Sequence, residues 1–275
     1  LRGVATSLAH RTLLVVTGYR HREEGGASCD AGTPVVMSIA AYGRLWAVHQ
    51  FAPFADRLLC AAGLLGGAGP LDARPVYALD FAVRLPLALL ALYIPSQFVL
   101  LVAHLASLLL FCVWLPQCWD HMCWAAVMET TFVVSALCGD ATHSFVPAAR
   151  TQMVCLYVAA AFWKLTTSFL DHRTSCATVL VAELAATVVP EPWLPAGGAA
   201  AAFLLQAAPT VTLALELSLG LLLAVAPAFG VTVGLAFHGA INVLPLNYAA
   251  GFSLMCIARY GLFLPGVDVA LNECA

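Results

Sequence analysis

Met153-Val-Cys-Leu-Tyr-Val-Ala-Ala-Ala-Phe-Trp163 runs without a charge into Lys164 and then Leu165-Thr-Thr-Ser-Phe-Leu-Asp171. In hydrocarbon every backbone N–H and C=O must find a partner within its own segment, so an apolar run of this kind predicts a helix. Lys164 is the only lysine among 275 residues. An ammonium in such a place either reaches for the membrane surface or gives up its charge, and a neutral amine is a base.

The rest of the chain has the same character. It is 62% hydrophobic and 10% charged, with a mean hydropathy of +0.90. Soluble domains carry about 25% charged residues. A soluble fold of this length has too little interior to hide so much apolar surface, so lipid is expected as part of the solvent. The net charge of -3 is small, and no basic stripe points to nucleic acid.

Apolar stretches near 36–54, 76–94, 96–115, 118–138, 147–165, 201–225, 227–246 and 248–264 read as spans. The expected fold is all-α, a multi-pass transmembrane helical bundle of about seven or eight spans. Pro95-Ser-Gln97 marks a turn or kink, and Pro209 and Pro227 kink or end helices. Residues 175–189 are apolar but short, suited to an interfacial or re-entrant segment. The Pro190–Gly198 tract reads as a loop, with Trp193 suited to the headgroup region. The predicted division is a linker or targeting segment at 1–32, a transmembrane domain at 33–268 and a tail at 269–275. The apolar stretch Thr12–Thr17 is too short to span, and Leu1 in place of Met suggests a fragment or a processed product.

Most of the ten cysteines lie in apolar runs and read as packing residues. Cys118-Trp-Asp-His121-Met-Cys123 matches no familiar zinc spacing, so no metal is predicted. Cys29, Cys176 and Cys274 lie nearer loops and could pair in an oxidising compartment.

The polar residues at membrane depth are His104, Asp120, His121, Glu129, Lys164, Glu216, His238, Asn242 and Arg259. Each is costly in lipid and should face the bundle interior or a cavity. Lys164 has two readings, a snorkelling surface amine or an inward base. Asp120 and His121 either cap a helix start or place a histidine where it positions a substrate. His238 and Asn242, four residues apart, share a helix face and suit interhelical hydrogen bonds. Glu216 is either a neutral buried acid or the partner of an internal cation, with Lys164 and Arg150 as the candidates.

Several runs, in order, resemble a known family. Arg150-Thr-Gln152…Leu156-Tyr157-Val-Ala-Ala-Ala-Phe-Trp-Lys164-Leu165…Phe169-Leu170 resembles the Arg-x-Gln…Tyr…Ala-Gly-x-x-Lys-Leu stretch of vitamin K-dependent gamma-carboxylases. It is also similar to bacterial relatives with the horizontally transferred transmembrane domain. Trp119-Asp120-His121 resembles the family's Asn-His pair. Glu216-Leu-Ser-Leu-Gly-Leu-Leu-Leu with Phe237-His238, and Tyr248-Ala-Ala-Gly-Phe252-Ser…Leu262-Phe263-Leu-Pro265, resemble its later motifs. The likeness covers roughly residues 43–268.

The resemblance implies a membrane-embedded lyase using vitamin K hydroquinone. Lys164 falls at the lysine held to deprotonate the hydroquinone, and His121 at the histidine that supports it. His238, Glu216, Asp120, Asn242 and Arg150 would line the polar interior. Oxygenation of the quinol would then generate a strong base that removes a gamma proton from a glutamate in a protein substrate, before carbon dioxide adds. Asp120 replaces the family's asparagine, Trp163 a small or basic residue, and Thr166-Thr-Ser168 a more acidic run. Full carboxylases also carry a large lumenal region, expected to be missing here. The alternatives are a non-catalytic membrane protein that binds a lipid, a quinone or a partner, and a transporter, against which the lack of an inverted repeat counts. The endoplasmic reticulum is implied for a eukaryotic source and the plasma membrane for a bacterial one.

Overall fold

The computed structural model describes residues 39–61, 75–115, 120–139, 141–190, 192–195, 197–243 and 250–264. Among these residues the secondary structure is helical, without strands. The helices are α1 Ile39–Ala61, α2 Pro75–Tyr93, α3 Gln97–Trp114, α4 Asp120–Leu137, α5 Ala141–Trp163, α6 Thr167–Leu170, α7 Cys176–Val188, α8 Ala199–Val225, α9 Pro227–Asn242 and α10 Ala250–Tyr260. A 3₁₀ turn, Gly261–Phe263, follows α10.

The breaks follow local chemistry. Pro95 separates α2 from α3, and the Ser96 hydroxyl then accepts the Val99 N–H at 3.2 Å, a side-chain N-cap. Pro227 opens α9 at its first turn, where its missing N–H costs nothing. Pro209 lies inside α8, which runs through it. Each of the eight predicted spans overlaps a described helix, while the short 175–189 stretch forms α7. Two described helices, Ser144–Trp163 and Ala199–Val225, are long and apolar enough to cross a membrane. Other apolar helical stretches, such as Phe81–Tyr93 and Met122–Leu137, are shorter.

The chain divides into two compact units, one of residues 1–149 with 264–275 and one of residues 150–263. In the first, α1 packs on α2, α2 on α3 and α3 on α4. Its centre is aromatic. Tyr42 stacks on Phe132 at 5.8 Å between ring centroids, and His104 stacks on Phe132 at 4.3 Å and on Trp46 at 4.9 Å. The His104 Nδ1–H donates to the Leu100 carbonyl at 2.7 Å, and Nε2 meets the Tyr42 hydroxyl at 3.1 Å. A fully buried imidazole is thus hydrogen-bonded on both sides, as a polar group in an apolar core must be.

In the second unit α7 packs on α8, α8 on α9 and α9 on α10. Small residues set the spacing. A Cβ on Gly220 of α8 would lie 3.2 Å from a Val158 methyl and 3.4 Å from the Tyr157 Cβ, so α5 and α8 approach closely there. A Cβ on Gly230 would lie 2.8 Å from the Leu223 backbone nitrogen, where α9 folds back on α8. Backbone has no rotamer with which to yield. Gly230→Ala is therefore expected to cost about 1–3 kcal/mol of stability. Gly239→Ala, in the same helix with nothing within 4 Å of the new methyl, should stabilise by up to about 1 kcal/mol through helix propensity. Thermal unfolding of the two variants in the same detergent or nanodisc checks the opposite signs.

Candidate functional site

The site lies in the second unit and begins where α5 ends. Beyond Trp163 the backbone tightens, with the Lys164 N–H donating to the Ala161 carbonyl at 3.1 Å and the Leu165 N–H to Phe162 at 3.0 Å. Thr166 then caps the short α6, its hydroxyl accepting the Phe169 N–H. This turn frees the Lys164 side chain from the helix and aims it across to α8. Its ammonium donates to Glu216 Oε2 at 2.7 Å. The Lys164 side chain is 27% exposed and that of Glu216 9%, so the carboxylate is the deeper partner. The Phe169 ring lies 5.8 Å from Nζ, within range of a cation–π attraction.

The pair borders a cavity of about 520 Å³. Its walls are apolar: Leu180 and Leu184 from α7, Val211 and Leu215 from α8, Phe237 and Ile241 from α9. Cys176 and Thr212 add a thiol and a hydroxyl to the lining. The cavity therefore has a greasy body and one end with a strong donor beside a strong acceptor. A ligand of matching polarity would carry one small polar head on an apolar frame.

A second polar cluster is buried in the same unit. The Tyr157 hydroxyl meets His238 Nε2 at 2.7 Å and hydrogen-bonds to the Tyr260 hydroxyl. His238 Nδ1 meets Ser253 Oγ at 3.1 Å, and the Asn242 amide donates to the His238 carbonyl at 2.8 Å. Phe237 and Phe252, which line the cavity, stand edge-on to the His238 ring at 5.0 and 5.6 Å.

The sequence-predicted residues divide accordingly. Lys164 and Glu216 come together. Arg150, the other candidate cation for Glu216, instead donates through Nε to the Leu262 carbonyl and lies 5.9 Å from the Phe263 ring centre. His238 and Asn242 belong to the buried cluster. α4 begins at Asp120, but the Asp120 and His121 side chains lie outside the described residues. Among the described residues no three His, Cys, Asp or Glu side chains are placed to hold a metal.

Sequence reasoning missed Ser253 and Tyr260, and took Tyr157 only as part of a motif. The available signal was spacing: Tyr157 precedes Lys164 by two helical turns, and Ser253, Cys256 and Tyr260 recur at helical intervals on α10. No family model, curated protein or solved structure matches the chain.

The depth difference within the pair gives a stability test. Lys164→Met strands a nearly buried carboxylate, and Glu216→Leu strands a more accessible ammonium. Lys164→Met should be the worse single change, by about 1–3 kcal/mol, and Lys164→Met with Glu216→Leu should recover most of the loss. A double-mutant cycle on thermal unfolding measures this. Additive losses would mean the pair is not coupled.

Proposed function

We propose that this chain is a multi-pass membrane protein whose second unit binds a quinol and accepts its proton, the opening step of gamma-carboxylase-like chemistry. The observation that carries the reading is the Lys164–Glu216 pair at the edge of an otherwise apolar cavity.

The membrane part rests on surface chemistry. Large apolar side chains lie exposed along the helices, among them Phe98 at 73%, Leu109 at 70%, Phe203 at 73% and Val225 at 69%. An apolar exterior on this scale is a liability in water and matches lipid tails. Seven or eight crossings, and residence in the endoplasmic reticulum or a bacterial plasma membrane, belong to this proposal.

The cavity suits vitamin K hydroquinone in kind: apolar walls for the ring and side chain, and a donor–acceptor end for the hydroxyl. Its size lies within the ~300–1,000 Å³ of ordinary small-molecule sites. When bound, that quinol would supply the oxygenation chemistry, with dioxygen as the oxidant, that generates a strong base. The residues of the chain do the rest. Glu216 accepts a hydroxyl proton, while the Lys164 ammonium holds the oxygen end and offsets the negative charge left there. The apolar walls exclude water, which strengthens both interactions. Since the amine is already bonded to a carboxylate, proton acceptance belongs to the pair rather than to the lysine alone. A glutamate-containing protein would be the acceptor of the carboxyl group.

One observation favours a second reading, a non-catalytic binder of lipid or quinone. At 2.7 Å the pair also serves as a tie between α5 and α8. Epoxide formation from vitamin K hydroquinone in membranes expressing the chain separates the two. The expected outcome is turnover that drops by about 10²–10⁴ in Lys164→Ala and in Glu216→Gln, the range typical of a lost proton acceptor. Turnover unchanged in both variants would exclude the catalytic reading. Quinol binding without any turnover would establish the second.

A further inference from the structure

Among the described residues two histidines are fully buried, His104 and His238, and their partners differ in one decisive way. His104 Nδ1 faces the Leu100 carbonyl, which can only accept. That nitrogen must carry the proton, so the neutral ring is fixed in one tautomer. His238 has hydroxyls on both nitrogens, Ser253 on Nδ1 and Tyr157 on Nε2, and Tyr157 continues to a third hydroxyl on Tyr260. Each hydroxyl can donate or accept.

The chain of bonds can therefore point either way. In one direction the Tyr260 O–H donates to Tyr157, the Tyr157 O–H to Nε2, and the Nδ1–H to Ser253. In the other the Ser253 O–H donates to Nδ1, the Nε2–H to Tyr157, and the Tyr157 O–H to Tyr260. Converting the first into the second moves each internal proton one step. One proton enters at Tyr260 and one leaves from Ser253, with no electron transferred and no net charge left behind.

Tyr157 stands against Gly220 of α8, one helical turn from Glu216. The geometry points to a proton relay: Tyr260, Tyr157, His238 and Ser253 form a reversible hydrogen-bonded wire that carries a proton between Tyr260 and Ser253. Tyr157 and His238 are relay residues behind the cavity wall and are not in contact with the ligand. The quinol as proton source rests on the proposed function; the reversibility of the chain does not.

The relay predicts fast exchange at a ring nitrogen that burial alone would protect. Hydrogen–deuterium exchange of the imidazole N–H groups is measured by NMR on the full chain in nanodiscs, with ¹⁵N-labelled histidine and the His238 signal assigned through His238→Asn. His104, equally buried, is the internal reference for folding. The expected result is exchange at His238 at least about tenfold faster than at His104, slowed by about tenfold in Tyr157→Phe and in the milder Tyr260→Phe, with His104 unchanged. Equal rates at the two histidines, or a His238 rate indifferent to Tyr260→Phe, would overturn the relay. No ligand is needed, so the outcome stands apart from that of the quinol assay. Slow exchange at His238 sinks the relay even if epoxide forms. Fast, tyrosine-dependent exchange without epoxide sustains the relay and removes the quinol as its proton source.

Discussion

A single lysine and a carboxylate, 2.7 Å apart between the end of α5 and the middle of α8, constrain the second unit. Neither charge could be withdrawn from water alone without a penalty of several kcal/mol. Together they are tolerable, and their mutual attraction fixes where α5 ends relative to α8. The helix has to unwind at Lys164 for the side chain to make that reach, and Thr166 caps the next short helix immediately afterwards. The cavity exists beside this junction because α7, α8 and α9 present leucine, valine, phenylalanine and alanine around it. Its one polar end is the price of closing the pair there.

Three other buried polar side chains are held by hydrogen bonds. His104 leans on a backbone carbonyl and a tyrosine, His238 on a serine and a tyrosine, and Arg259 on the Met255 carbonyl. Each is held by a neighbouring turn or helix, as expected where water cannot substitute. The difference between the two histidines shows how little distinguishes a structural group from a mobile-proton group. A carbonyl partner freezes the tautomer, whereas hydroxyl partners leave it free.

Much of the helical architecture was legible because its signals are local. Pro95 with Ser96, and Pro227, mark boundaries that the helices respect closely, while the apolar runs miss the end of α1 and the start of α5 by about two turns. α7 was harder to read: a thirteen-residue, mostly apolar helix suits an interfacial segment as well as a packed helix, and only its contact with α8 decides. The pairing of Glu216 could be narrowed to two cations from sequence, since few were available. Choosing Lys164 over Arg150 required the turn that aims the lysine and the Leu262 carbonyl that occupies the arginine. Ser253 and Tyr260 were illegible as partners of His238, because a serine and a tyrosine on an apolar helix give no sign of what they face across it. The division between units at 149 and 150 falls inside α5, where no change in composition marks it.

The central claim is that the cavity beside Lys164 and Glu216 holds an apolar ligand whose polar head meets the pair. Cys176 is an exposed thiol in the lining of that cavity, and Cys155, also exposed, lies on α5 and outside the lining. The most direct measurement is the rate of maleimide modification at each thiol, read by mass spectrometry, with and without vitamin K hydroquinone. The account predicts that the quinol slows modification at Cys176, leaves Cys155 untouched, and loses its effect in Lys164→Ala. Unaltered labelling of Cys176 at saturating quinol would contradict it.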